Sequence, residues 1–139
     1  KDCGKPVCTD ETIEAVANLF EKKGSNAWFD MEAADILEKE GISCEIIDPR
    51  TLVPFDYETV LNSIAKTGKL MIVHEDHYNG GWGAQLGSYV AEHAIPSLDA
   101  PIVRVAAYDT PIPFSPTLEN FVVPSVERIT EEARKLAKL

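Results

Sequence analysis

Two histidines and two carboxylates fall within four consecutive residues, His74, Glu75, Asp76 and His77. Imidazole and carboxylate groups bind divalent metals and relay protons near neutral pH, so this run could serve a small metal-dependent enzyme. However, histidines three residues apart on an irregular segment lack the helical geometry that directs both at one ion. We therefore favour a polar strand end that hydrogen-bonds the following loop and a neighbouring subunit.

A glycine-rich run follows at residues 79–83, Asn-Gly-Gly-Trp-Gly, directly before a predicted helix. Its backbone amides could cradle an anion at the positive end of that helix. The spacing is not the dinucleotide-binding fingerprint, and no basic residue stands nearby to hold a phosphate. A tight turn with close backbone packing is the favoured interpretation, with Trp82 as an exposed aromatic anchor for a protein interface.

The three cysteines, Cys3, Cys8 and Cys44, predict no catalytic or metal chemistry. The spacing of the first two does not match the paired ligands of a zinc knuckle, and no second pair completes a site. Cys44 falls in a predicted strand and is interpreted as a small buried hydrophobe. Since three cysteines cannot all pair within one chain, we expect a reducing, cytoplasmic environment.

Alternating strand and helix patterns position these residues from residue 42 onward. Three segments are apolar and rich in β-branched residues, as buried strands are: 42–48, 70–73 and 101–106. Three others carry apolar side chains at helical spacing: 57–67, 84–94 and the stretch that opens at Pro124. Asp56 can cap the first helix and Gly68 can end it. This alternation predicts an α/β fold of three layers, with helices on both faces of a mostly parallel sheet.

The first forty residues follow another pattern. Residues 10–23 carry apolar side chains at helical spacing and predict an amphipathic helix. Residues 25–29 form a short aromatic connector, and a second helix is predicted over 31–40.

Composition limits the classes of partner. A length of 139 residues suits one domain, and 45% hydrophobic with 26% charged residues is ordinary for a globular protein. The formal net charge of −10 argues against nucleic acid or an anionic membrane as partner and suits a basic protein. No apolar run approaches the ~20 residues that span a bilayer.

The run from Glu40 to Asp56 resembles the segment EGI-x-EVIDLRTL-x-P-x-D of the beta subunits of thiamine-dependent 2-oxo acid dehydrogenases. Further matches follow in the same order: Lys66-Thr67-Gly68, Ile72-Val73-His74-Glu75, Gly80-Gly81-x-Gly83-Ala84, Asp99-Ala100-Pro101-Ile102-x-Arg104-Val105 and Asp109-x-Pro111-x-Pro113. Together they cover residues 33–139. The resemblance implies a transketolase C-terminal-like fold.

In that family, of the pyruvate, branched-chain and acetoin types, thiamine diphosphate and magnesium are held between an alpha subunit and the other domain of the beta subunit. The resemblance therefore implies a chain with no cofactor site and no activity alone. It implies a domain for subunit assembly or self-association that also docks a small basic binding domain of the acyltransferase core. The residues expected on partner-facing loops are His74, Glu75, His77, Gly81, Trp82, Gly83, Asp109, Pro111 and Pro113.

The front of the chain departs from this family, whose domain opens with a strand of the type V-T-L-V-T-Y-G. That strand is replaced or missing here, and residues 1–37 instead resemble a stretch of bacterial isoleucyl-tRNA synthetase. By this resemblance Cys3 would be one ligand of a zinc site, and the remaining ligands of that site are missing from this chain. We therefore predict a hybrid with segments 1–37 and 38–139, in which the 10–23 helix or a second chain covers the exposed sheet face. The alternative is a structural chimera without retained function.

Overall fold

The structure is a computed structural model, and it describes residues 16–18 and 26–139. Within these residues the strands are β1 (Val16–Asn18), β2 (Ile46–Ile47), β3 (Met71–His77) and β4 (Val103–Ala107). The helices are α1 (Asn26–Lys39), α2 (Tyr57–Thr67), α3 (Trp82–Ala94), α4 (Pro116–Val122) and α5 (Val126–Ala137), with a 3₁₀ helix at Ile95–Ser97. In this part of the chain, no helix combines the length and the apolar character that crossing a bilayer requires.

The strands form one parallel sheet in the order β2-β1-β3-β4. Successive residues of β3 point to opposite faces of this sheet. Met71 and Val73 belong to a buried cluster with α1 and α5, whereas Ile72 belongs to a second cluster with α2 and α3. Helices therefore cover both faces, and the predicted three-layer α/β fold is confirmed.

β1 lies in the centre of the sheet, between β2 and β3. Val16 pairs with Ile46 on one side and with Met71 on the other. The expectation of a missing strand is therefore wrong, and so is the helix predicted over 10–23 where it includes these residues. A central strand satisfies its backbone donors and acceptors on both sides, and this pairing overrides a local helical pattern. The rest of that predicted helix lies outside the described residues.

α1 starts earlier than the sequence predicts. The stretch 25–29, interpreted as a connector, is helical from Asn26 onward, so the aromatic residues there belong to the first turns of the helix. The helix then runs across the predicted boundary between residues 37 and 38 without interruption. The change of parent protein at that boundary stays a prediction.

The first helix, α1, packs against the last helix, α5. Leu37 is buried in the same cluster as Ile129 and Leu136 of α5. At the end of α1, Arg134 donates from Nε and Nη2 to the two Glu40 carboxylate oxygens, at 2.7 and 2.5 Å. The described part of the front segment is thus built into the core of the domain.

α2 has the bounds that the sequence predicts, because its two ends are set by local chemistry. The Asp56 carboxylate accepts from the Thr59 amide at 3.0 Å, which caps the first turn. Gly68 ends the helix with φ 70°, and its amide donates to the Ile64 carbonyl at 2.8 Å. A Cβ at Gly68 would lie 2.1 Å from Asp99 Oδ2 and would adopt a strained positive φ, so glycine is favoured at this turn.

Other elements of the structure begin or end at residues that differ from the predicted ones. The strand predicted over 42–48 shortens to Ile46–Ile47, which pair with Val16 and Ala17 of β1. α5 begins at Val126, where the Ser125 hydroxyl accepts from the Arg128 amide at 3.3 Å, instead of opening at Pro124. α4 was not predicted, since only Val122 of its seven residues is buried and no inward stripe announces it.

Candidate functional site

The histidine-carboxylate run lies at the carboxyl end of β3. All four residues belong to the strand, so the prediction that they occupy an irregular segment is wrong. The pairing of β3 with β4 shifts register between His74 and His77, and such an irregularity re-aims the side chains around it. His74 is 2% exposed, whereas the His77 side chain is 42% exposed. Among residues 16–18 and 26–139, no group of three or more His, Cys, Asp or Glu side chains could hold a metal ion.

His74 is enclosed by the glycine-rich turn. Neither of its ring nitrogens has a hydrogen-bonding partner among the described residues. A Cβ at Gly83 would lie 2.3 Å from His74 Nε2, and one at Gly81 would lie 2.3 Å from the His77 carbonyl oxygen. Burial lowers the pKa of His74, the Asp76 charge opposes this, and the Arg104 charge lowers it further, so the imidazole is neutral at pH 7. The predicted close packing at this turn is therefore confirmed.

The positive end of α3 is already occupied by a carboxylate of the chain. Asp76 Oδ2 accepts from the Trp82 amide at 3.2 Å, and Asp76 Oδ1 accepts from the His77 amide at 2.8 Å. Burial raises the pKa of Asp76, but these amide bonds more than offset it, so the pKa lies below its ordinary value. The turn does not fit a diphosphate, because Asp76 takes the place that an anion would occupy.

Trp82 begins α3 and is half-buried, so its predicted role as an exposed anchor is wrong in that respect. Its ring lies 4.7 Å from the Phe55 ring, which in turn lies 4.7 Å from Tyr57. Tyr57 stacks on Tyr89 at 3.8 Å, and Tyr89 stacks on His93 at 4.0 Å. We call these five rings the aromatic ladder. Large apolar rings attract each other in this way when a neighbour lies within reach.

The loops that follow β3 and β4 are joined by side chains predicted from the sequence. His77 Nε2 donates to the Thr110 carbonyl at 3.0 Å. The Asp109 carboxylate accepts from the Asn79 amide at 2.9 Å and from Asn79 Nδ2 at 2.5 Å. These residues and Pro111 line a cleft of about 560 Å³, which we call the strand-end cleft.

The structure thus brings His77, Asp109 and Pro111 together, as predicted for residues on neighbouring strand-end loops. His74, Gly81 and Gly83 lie in the packed turn beside them. The two other predicted loop residues, Glu75 and Pro113, are half-buried and do not line the cleft. The role of all these residues in docking stays a prediction.

Four exposed large apolar side chains, which the sequence analysis missed, follow Pro111 of the cleft within ten residues of the sequence. Phe114 is 104% exposed, Phe121 69%, Leu118 55% and Ile112 46%. We call these four residues the apolar strip. The spacing of 114, 118 and 121 is helical and could have revealed three of these residues, but the surrounding prolines predict an extended, irregular segment instead. Contiguous exposed apolar patches are typical of interaction surfaces.

A buried carboxyl group on α1 also escaped prediction. Asp30 is 2% exposed, and its pKa rises to about 7 because burial disfavours the charged form and the Asp48 charge adds repulsion. Cys44, predicted to be a buried hydrophobe, is half-buried, and burial raises the pKa of its thiol to about 11. A thiol with such a pKa is not a nucleophile at pH 7. Cys3 and Cys8 lie outside the described residues.

Residues 23–129 match the protein-family model "Transketolase, C-terminal domain". A mitochondrial pyruvate dehydrogenase E1 component subunit beta of Dictyostelium discoideum is 44% identical over 108 residues, which cover 78% of this chain and 30% of that protein. The 2-oxoisovalerate dehydrogenase subunit beta of Bacillus subtilis is 37% identical over 79% of this chain and 34% of its own length. The chain therefore spans about a third of the curated relatives it matches.

Among solved structures, a split-gene transketolase described as an inactive beta4 tetramer matches with a TM-score of 0.74. The match covers 91% of this chain and 39% of that one, at 24% sequence identity. At that identity the likeness concerns the fold, which agrees with the parallel sheet and its two helical layers.

Proposed function

Because this chain belongs to the family of transketolase C-terminal domains, we propose that it is the non-catalytic assembly and docking domain of a 2-oxo acid dehydrogenase beta subunit. The observation that carries the proposal is the match to beta subunits at 37–44% identity over more than three quarters of the chain. The names of these relatives describe subunits of larger enzymes, so protein partners are expected. The chain itself contributes surfaces to the assembly instead of reacting groups.

The apolar strip supports the assembly part of the proposal. Phe114 and Phe121 each expose more than two thirds of their surface. In an isolated chain this exposure does not stabilise the fold, so it favours an interaction with a partner. Large aromatic side chains are enriched at protein interfaces, where burial of each contributes about 1.5–3 kcal/mol. Ile112 of the strip directly follows Pro111 of the strand-end cleft in the sequence.

The charge of the chain supports the docking part. A formal net charge of −10 attracts a basic partner, and dissolved salt screens this attraction so that it acts over a shorter range. We propose that this partner is the small basic binding domain of the acyltransferase core, and that dehydrogenase alpha or beta subunits cover the apolar strip.

We place the cofactors of the parent complex outside this chain. Thiamine diphosphate needs a diphosphate cradle and a magnesium ion, and the α3 turn offers neither because Asp76 already binds the Trp82 amide. The described residues also include no group of three side chains suited to a metal ion. No reaction step is therefore assigned to this chain.

Isothermal titration with the basic binding domain tests the docking part. We expect saturable heat and an affinity that falls as salt increases, because opposite charges attract less strongly when screened. A folded chain that shows no heat at low salt would contradict docking. Heat that does not depend on salt would contradict the electrostatic account.

Sedimentation equilibrium tests the assembly part. The variant with Phe114→Ser and Phe121→Ser should associate more weakly, with itself or with added dehydrogenase subunits, than the native chain does. Val53→Ser is the matched control, since Val53 is 90% exposed but lies outside the apolar strip. Equal association by both variants would show that the strip is not the interface.

We propose in addition that the front of the chain comes from a second parent, similar to isoleucyl-tRNA synthetase. The family match starts only at residue 23, which leaves residues 1–22 outside it. Replacing residues 1–18 by the opening strand of the dehydrogenase family tests this idea. If the native segment is foreign, the replacement should raise Tm because the opening strand of the family is adapted to pair with its two neighbours in the sheet. An unchanged or lower Tm would speak against a foreign segment.

A further inference from the structure

A cavity of about 510 Å³ at the carboxyl end of β4 is lined by two of the four arginines of the chain, Arg104 and Arg128. Arg104 lies in β4 and Arg128 in the first turn of α5. We propose that this cavity binds a small oxyanion, a carboxylate or phosphate group, through the two guanidinium groups. The size is within the range of small-molecule sites.

The two guanidiniums differ from the other arginines because neither forms an ion pair with a described carboxylate. Arg134 is paired with Glu40, and Arg50 with Asp48. Both guanidiniums line the same cavity, so their charges are available there to an anion.

Both guanidiniums keep N–H donors for a ligand. Arg104 Nη1 donates to the Tyr78 carbonyl at 2.9 Å. Arg128 donates from Nη1 to the Val123 carbonyl at 3.2 Å and from Nη2 to the Ala106 carbonyl at 2.9 Å. A guanidinium has five N–H donors, so these bonds anchor each group and leave the rest for oxygen atoms of an anion.

Aromatic stacking holds the two groups in place before a ligand arrives. The Arg104 guanidinium lies over the Tyr78 ring, 4.1 Å from its centroid, and the Arg128 guanidinium lies 4.5 Å from the Tyr108 centroid. A cation stacked on a ring loses little further freedom on binding. Such preorganisation lowers the entropic cost of holding a small anion.

The acidic residues that line the cavity already have partners. Asp109 accepts from Asn79, while Glu131 and Glu132 lie 3.0 and 2.7 Å from Lys135 Nζ. Their charges nevertheless remain close and oppose a highly charged ligand. The site therefore suits a small anion of one or two charges and disfavours a polyanion such as nucleic acid.

Amide chemical-shift titration of the 139-residue chain tests the proposal, with inorganic phosphate and malonate as probes. Ionic strength is held constant with chloride, so that screening does not change. We expect saturable shifts at residues 104–109 and 125–132 with at least one probe. A response to phosphate alone or to malonate alone identifies which oxyanion the site prefers.

Three variants sharpen the test. Arg128→Gln should weaken binding about tenfold or more, because it removes a charged donor, and Arg128→Lys should weaken it less. Arg50→Gln is the control, since Arg50 is exposed, paired with Asp48 and absent from the cavity lining. No saturable shift of the native chain with either probe would overturn the proposal. Equal affinities of native and Arg128→Gln chains, both with native-like amide dispersion, would overturn it as well.

Discussion

The aromatic ladder and the apolar strip are both rich in large side chains, but the ladder rings pack against one another whereas the strip side chains are exposed to solvent. In the ladder every ring contacts another, from Trp82 through Phe55 to the stacked rings on α3. In the strip Phe114 is fully exposed, and Phe121 is 69% exposed, with its ring 5.6 Å from the Tyr108 ring. The comparison separates rings that pack within the domain from side chains that the fold leaves exposed to solvent.

Gly83→Ala should cause the largest loss of stability among these variants, because Gly83 lies in the first turn of α3, next to Trp82 of the ladder. The new Cβ would lie 2.3 Å from His74 Nε2 in a fully buried turn. We expect a loss of about 3 kcal/mol in the free energy of unfolding, measured by urea titration. Gly87→Ala is the control, since its Cβ would meet only Ile72 Cδ1 at 3.9 Å and should be neutral or stabilising. Equal stabilities of both variants would refute close packing as the reason for Gly83.

Phe55→Ala should break the ladder in its middle. The substitution removes ring contacts with both Trp82 and Tyr57 at 4.7 Å, in a half-buried position. We expect a loss of about 2 kcal/mol in the free energy of unfolding, less than for a fully buried phenylalanine. A near-ultraviolet circular dichroism signal that stays unchanged would mean that the rings do not order one another.

A change of pH should act on the buried interior and leave the strip unaffected, since none of the four strip residues ionises. Burial and then the charge of Asp48 raise the pKa of Asp30 from 3.8 to about 7 in the folded chain. Between these values the folded chain holds a proton that the unfolded chain releases, so Asp30 makes stability fall as pH rises from about 4 to 7.

Asp30→Asn should remove this contribution. The slope that Asp30 adds is at most about 1.4 kcal/mol per pH unit, and the variant should lack it when unfolding curves are compared across that pH range. Asp56→Asn serves as a control with the opposite sign, because hydrogen bonds from Thr59 hold the pKa of Asp56 below its ordinary value. Identical pH profiles of Asp30→Asn and the native chain would contradict the raised pKa.

Phe114→Ala should have the smallest effect on the stability of the single chain. Its side chain is fully exposed, so the free energy of unfolding should change by no more than about 0.5 kcal/mol. The comparison with Phe55→Ala then separates a ring that stabilises the fold from one available to a partner. A large loss of stability in dilute solution would mean that the strip is already covered in the chain as it folds.

Much of the candidate site could be predicted because its chemistry is local. The apolar run of β3 and the polar run after it placed His77 at a strand end, and the glycines required a tight turn there. Proline and aspartate after β4 placed Asp109 and Pro111 on the neighbouring loop. The burial of His74, the half-burial of Trp82 and the buried Asp30 could not be predicted, since each depends on side chains distant in sequence.

The sequence alone determined the alternation of strands and helices, and with it the three-layer fold. It also determined α2, whose start at Asp56 and end at Gly68 depend on hydrogen bonds within a few residues. Only the tertiary structure decided that Val16–Asn18 is a strand, that Ile46–Ile47 is short and that the strip is exposed. The physical reason is that capping and periodicity act within one element, whereas pairing and burial depend on which neighbours the fold supplies.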